Sequence, residues 1–119
     1  MSVPITQEIR LGQLQLLIES LCELNKILAL DTDCQWTAHF RRSQLEAEKL
    51  LSDFTQDHLN VLSTRIRSVY GGMGSFSDYV PITKSQDGGF MTIAGMENLT
   101  LHSGHVYDQA LELKVVGRR

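Results

Sequence analysis

The chain has 119 residues, 42% hydrophobic and 21% charged, with 11 Lys and Arg against 14 Asp and Glu, a formal net charge of −3. A chain of this size buries roughly two-thirds of its unfolded surface on folding, so one core is expected over 1–119 and a second domain is excluded. Gln13, Gln15, Glu19, Glu23 and Lys26 interrupt even the most apolar stretch, 11–30, which excludes a membrane-spanning helix there.

Residues 1–9 lack the basic start and apolar run of a signal peptide. Cys22 and Cys34 have no second pair, too few for a zinc knuckle or a disulfide framework. The compartment expected is therefore a reducing cytoplasm.

Pro4 suits the first turn of a helix. Leu14, Leu17, Leu21, Leu24 and Leu28 recur at steps of three and four, and Leu11 and Ile18 widen the stripe. This periodicity predicts a first helix over about 5–30. Leu16, Ile27 and Leu30 lie off the stripe, with Glu23, so the helix is either central in a bundle or carries a docking surface, such as one for a second copy. Thr32 and Gln35, in the run Asp31-Thr32-Asp33-Cys34-Gln35, have capping-box spacing and announce a second helix. Cys34 beside that start is either an activated thiol or a small packed hydrophobe. On the second helix Trp36, Phe40, Ala47, Leu50, Leu51 and Phe54 share a face, and Glu46 is spaced to pair with Arg42 and Lys49.

Thr55 and Asp57 open a third helix that turns Leu59, Leu62, Ile66, Val69 and Tyr70 inward. Arg65 and Arg67 suit its negative end, and Gly71, able to adopt positive φ, marks its stop. The period then changes. Runs at 79–83 and 90–93 predict a small hairpin, with Pro81, which has no N–H to donate, confining its strand to an edge. Asn98 starts a last helix with Leu99, Ser103, Val106, Ala110 and Leu113 on one face, running to about Val115. Gly104 weakens it, and Gly117 with Arg118 and Arg119 ends it. The fold expected is mainly α: a four-helix bundle-like domain with a small β-hairpin inserted between helices 3 and 4.

The most unusual string is Tyr70-Gly71-Gly72-Met73-Gly74-Ser75-Phe76-Ser77-Asp78. It fails as a dinucleotide fingerprint, because Ser77 stands where the third glycine belongs, and no Gly-Lys-Ser/Thr follows. Phosphate loops precede a helix and use its free amides, whereas this one follows a helix, whose end presents carbonyls. A tight helix exit is the better expectation, with Met73 and Phe76 tucked back and Ser75 or Asp78 capping amides. No cofactor is expected.

His102 and His105 share a face at i,i+3, with Asp108 a turn further on, but no metal-binding motif supports them and no metal is expected. His39 and His58 are placed at the bundle's edges. Ser75 and Cys34 belong to no nucleophile signature, so no catalytic residue is assigned. Asp31 with Asp33 and Glu46 with Glu48 read as helix-entry charges or a solvated face, while Glu19 and Glu23 form either a solvated face or an acidic contact strip. Arg41, Arg42, Arg65, Arg67, Arg118 and Arg119 are scattered without exposed aromatics between them, so no nucleic-acid partner is expected.

The run from Tyr70 to Asp78, following an amphipathic helix and a Trp-led helix, resembles the signature of a small uncharacterised bacterial domain family. That family commonly reads Gly-Gly-Met-Gly-Ser-Phe-Asn-Asp before an extended segment and an Asn-Leu-led final helix. Trp36, Gly71, Gly72, Met73, Gly74, Ser75, Phe76, Asp78, Asn98 and Leu99 match, and Ser77 replaces the Asn, over about residues 20–114. In size and bacterial setting the family resembles immunity proteins. The resemblance implies a non-enzymatic protein that occludes a cognate protein toxin, touching it with Gly72, Met73, Gly74, Ser75, Phe76, Asp78 and Tyr79. Two further readings remain open: a ligand-binding domain or enzyme with a polar site of Ser75, Asp78 and His102 or His105 near the glycine-rich loop, and a helical module that self-associates through helix 1.

Overall fold

The computed structural model describes residues 7–32, 34–71, 75–84 and 88–114. The features expected at Pro4, Asp33, Val115, Gly117, Arg118 and Arg119 lie outside the described residues, as do Gly72, Met73 and Gly74. The elements are α1 (Gln7–Leu28), α2 (Thr37–Leu50), α3 (Gln56–Arg67), a 3-10 turn (Phe76–Asp78), β1 (Ile82–Lys84), β2 (Phe90–Thr92) and α4 (Leu99–Leu113). This is a mainly-α bundle with a small β insertion between α3 and α4, as the periodicities imply.

The helices form a ring in which α1 and α3 each pack against α2 and α4. Arg10, early in α1, bonds to Gln56 at the start of α3 and to the Glu112 carbonyl near the end of α4. Hence α1 and α3 run in the same direction and α4 runs against them. The leucine stripe of α1 lies at the centre: Leu14, Leu17, Leu21, Leu24 and Leu28 are buried with Phe40, Ala47, Leu59, Leu62, Ile66, Val106, Ala110 and Leu113. Burying a Leu of this kind contributes about 1.5–3 kcal/mol, which outweighs weak local propensities along α1.

Several local expectations give way to packing. α2 starts one turn later than the Thr32–Gln35 spacing implies, with Trp36 at the cap position and no side-chain capping bond. The Trp36 indole sits edge-on to Phe76, 6.0 Å between ring centres, so contact with the core sets this entry. Leu51 falls just past the end of α2 and is exposed. Glu46 pairs with Arg65 of α3, not with Arg42 or Lys49. α3 is capped as its sequence implies. The Thr55 hydroxyl accepts from the His58 N–H at 3.2 Å, and His58 Nδ1 accepts from the Thr55 N–H at 3.2 Å. His58 thus plays the part that Glu or Gln has in an ordinary capping box.

Gly71 does not adopt positive φ; among the described residues, Gly88 and Gly95 do. The chain leaves α3 differently. The Tyr70 N–H bonds to the Arg67 carbonyl at 3.0 Å and the Ser68 hydroxyl to the Arg65 carbonyl at 2.7 Å, and the Phe76 N–H then returns to the Val69 carbonyl at 2.7 Å.

His39 lies half-buried on α2, edge-on to Phe40, with its Nε2 buried and unpartnered among the described residues. Desolvation, with help from Arg42 and Arg65, holds its pKa below the ordinary value, against the opposing influence of the Ile66 backbone and the charge of Glu46. The unfolded chain therefore takes up this proton first as pH falls. Stability is expected to be fully present above about pH 6.5 and to decline as pH falls from there towards the lower folded-state value. Denaturant midpoints measured at several pH values should show the decline, and His39→Leu should flatten it; an unchanged slope would remove His39 as its source.

Candidate functional site

The loop after α3 is built around Phe76. Ser75 is extended, and its hydroxyl accepts from the Ser77 N–H at 3.3 Å, nucleating the 3-10 turn. The Ser77 hydroxyl donates to the Tyr70 carbonyl. These bonds direct Phe76 inward, where it is 4% exposed. Its ring lies 4.8 Å from Phe40 and 5.4 Å from Tyr70, and it stacks on Tyr79 at 6.0 Å. Tyr79 in turn donates its hydroxyl to Asp31. Burial, then this bond and the nearby Cys34, push the Tyr79 phenol well above its ordinary pKa, so it remains a hydrogen-bond donor at neutral pH.

The expected contact residues are therefore used differently. Phe76 is core and Tyr79 is half-buried, so both anchor the loop. Ser75 is half-buried and caps the turn. Gly72, Met73 and Gly74 lie outside the described residues, and for Asp78 only the backbone is described, within the 3-10 turn.

From this anchor the hairpin projects. Its strands pair antiparallel, Ile82 with Thr92, Thr83 with Met91 and Lys84 with Phe90. Pro81 stands just outside the ladder and contributes only its carbonyl, which accepts from the Ile93 N–H at 2.8 Å. Among the described residues, neither strand's backbone lies close to a helix. Phe90 is 72% exposed, Met91 54% and the adjoining Val80 59%. A lone two-stranded ribbon is marginal in water, so its root is held by buried Met96 and by half-buried Ile93 and Tyr79. The turn into α4 needs Gly95: its φ is +89°, and a Cβ there would stand 2.7 Å from Leu30 Cδ1.

Beside this anchor, a cleft of about 520 Å³ opens between the end of α3 and the outer side of α4. Arg67, Tyr70 and Gly71 form one wall, Thr100, Gly104, Tyr107 and Asp108 the other, and Ser77 also lines it. Tyr70 donates to the Ser103 carbonyl at 2.8 Å, and its ring meets Tyr107 at 5.0 Å. Burial first, then Asp108 and Tyr107, raise the Tyr70 phenol far above its ordinary pKa, which makes it a fixed strut and no acid or base near neutrality. Arg67 Nε donates to Ser63 Oγ at 3.1 Å, which steadies the guanidinium along α3. Among the described residues neither Arg67 nor Asp108 is in an ion pair. Gly104 lies inside α4, where glycine costs about 1 kcal/mol relative to alanine. A Cβ there would meet nothing within 4 Å, so the packing of the fold does not require the glycine.

The other candidates lie apart from one another. His102 and His105 face each other edge-on at 6.1 Å, and among the described residues no group of three His, Cys, Asp or Glu is placed to hold a metal. Glu23 pairs with Lys26 at 3.0 Å, which, with His102 nearby, holds its carboxyl below the ordinary range. Ile27 packs on the core, whereas Ile9 and Leu16 of α1 and Leu30 just beyond it, which touches the Gly95 turn on one side, remain exposed. No helix among the described residues is long and apolar enough to cross a membrane. Arg67 and Asp108 as facing walls of one cleft escaped sequence reasoning. The one local signal was Gly104, an unfavourable residue inside a helix.

No curated protein and no solved structure matches the chain. A family model described as "Domain of unknown function (DUF6966)" matches residues 29–88. The match runs from the α1–α2 connection through α2, α3 and the glycine-rich loop into the hairpin turn, leaving Asn98 and Leu99 outside it. With just over half of its residues matched, the chain belongs to this family, whose function is uncharacterised.

Proposed function

We propose that this chain is a non-enzymatic binding protein that captures a protein partner with the hairpin arm and the adjoining loop. The partner class we infer is a bacterial toxin, neutralised in the cytoplasm by steric occlusion, as the resemblance to immunity proteins suggests. The observation that carries the reading is the contrast within one segment. Phe76 and Tyr79 are anchored in an aromatic cluster, while Phe90, Met91 and Val80 are held out in water. A projecting apolar arm on a fixed root loses little conformational freedom when it docks, which favours tight binding from a modest surface. Solvent-exposed aromatic and Met side chains are also the types enriched at protein interfaces.

The test is protection. Where neighbouring genes encode secreted toxins, co-expression with those toxins should restore growth, and the Phe90→Asp, Met91→Asp double variant should lose protection while keeping its melting temperature. No protection and no stable complex with any of them would refute the toxin reading. Self-association through α1 has less support, because Ile27 is already packed on the core of the chain. Light scattering that reported a dimer sensitive to Leu16→Glu would reinstate it.

A further inference from the structure

We propose that the cleft between α3 and α4 is a binding site for a small zwitterion of the free amino acid or short peptide class. Its walls carry one cation and one anion, Arg67 and Asp108, neither in an ion pair among the described residues. A purely anionic guest would meet Asp108 and a purely cationic one would meet Arg67. A guest with both charges satisfies both walls: its carboxylate takes the guanidinium and its ammonium takes the Asp108 carboxylate, each through charge-assisted hydrogen bonds. The Tyr107 ring, stacked edge-on to Tyr70, gives an apolar body an aromatic surface. Thr100 adds a hydroxyl at the first turn of α4.

Two features keep the space open. Gly104 presents no side chain to it, at a position where the fold itself would accept a methyl group. Arg67 is steadied by Ser63, so its charge is in place before a guest arrives. The cavity, about 520 Å³, lies within the range of small-molecule sites. This inference does not rest on capture of a protein partner.

The probe is the dipeptide alanyl-phenylalanine, titrated calorimetrically beside its N-acetylated and C-amidated forms. The free dipeptide should bind saturably, and blocking either end should weaken binding at least about tenfold. Arg67→Gln should erase the preference for a free carboxylate, and Asp108→Asn the preference for a free ammonium. Gly104→Leu should abolish binding, and Gly104→Ala should raise the melting temperature while weakening it. Phe90→Asp, which tests the partner surface, should leave dipeptide binding unchanged, so the two readings fail separately. Absence of binding at millimolar dipeptide, binding of either blocked form as tight as that of the free dipeptide, or undiminished binding to Arg67→Gln and Asp108→Asn would each overturn the assignment.

Discussion

Replacing Phe76 with alanine is expected to destabilise the protein by about 3–5 kcal/mol, the range for emptying a buried aromatic site. The ring is 4% exposed and stands where the exit of α3, the start of α2 and the root of the hairpin meet. Its neighbours are held from several elements: Trp36 by the entry to α2, Tyr70 by its bond to Ser103, and Tyr79 by its bond to Asp31. They cannot all move into the space that the ring vacates, so the cavity persists and the loss stays large. Urea unfolding gives the magnitude. Amide hydrogen exchange should also show the hairpin root opening more often, because Tyr79 loses the ring it stacks on. Phe90→Ala, at an exposed site, should change stability by less than about 0.5 kcal/mol. Equal effects of the two substitutions would mean that Phe76 is not the anchor described here.

Arg10→Ala is expected to cost about 2–3 kcal/mol, the scale of lost hydrogen bonds to a charged group. Arg10 is 4% exposed, and its guanidinium donates to Gln56 Oε1 at 3.1 Å, Gln13 Oε1 at 2.8 Å and the Glu112 carbonyl at 2.7 Å. Gln56 completes the clamp by donating to the Leu113 carbonyl at 2.7 Å. Together the two side chains supply donors to the last carbonyls of α4, where the helix dipole also favours a cation. Desolvation lowers the Arg10 pKa, yet an arginine keeps its charge at neutral pH, so the burial has to be offset by these bonds. Alanine strands three acceptors at once. Arg10→Met keeps the apolar stem and should lose less than Arg10→Ala. Urea midpoints for the two variants separate packing from hydrogen bonding, and a loss below about 0.5 kcal/mol for Arg10→Ala would show that the clamp is dispensable.

The candidate surfaces follow the same division between anchor and display. The sequence string from Tyr70 to Asp78 draws attention through its glycines, yet its Phe76 is in the core and its Ser75 and Ser77 hydroxyls are bonded to the loop's own backbone. The displayed groups stand further along, at Val80, Phe90 and Met91. An apolar residue in a short run reads alike in sequence whether it is buried or exposed, because alternation over three or four positions carries too little pattern to decide. Burial of such a residue depends on whether a second layer covers it, and among the described residues no helix covers this ribbon.

The sequence by itself determined what short-range periodicity can encode. The leucine stripe of α1, the Thr55 start of α3, the inward face of α4 and the change of period before the hairpin are each properties of residues a few positions apart, so the element order and the mainly-α bundle follow from them. Only the tertiary structure decided what the ends and flanks of those elements do. Arg10 sits within a helix of leucines and becomes a clamp because α1 runs antiparallel to α4. Trp36 overrides the Thr32–Gln35 cap because Phe76 waits for it across the core. Arg67 and Asp108 share a cleft because α3 and α4 pack side by side. These contacts join residues distant along the chain, and their geometry is fixed by how whole helices pack, a quantity that no local spacing contains.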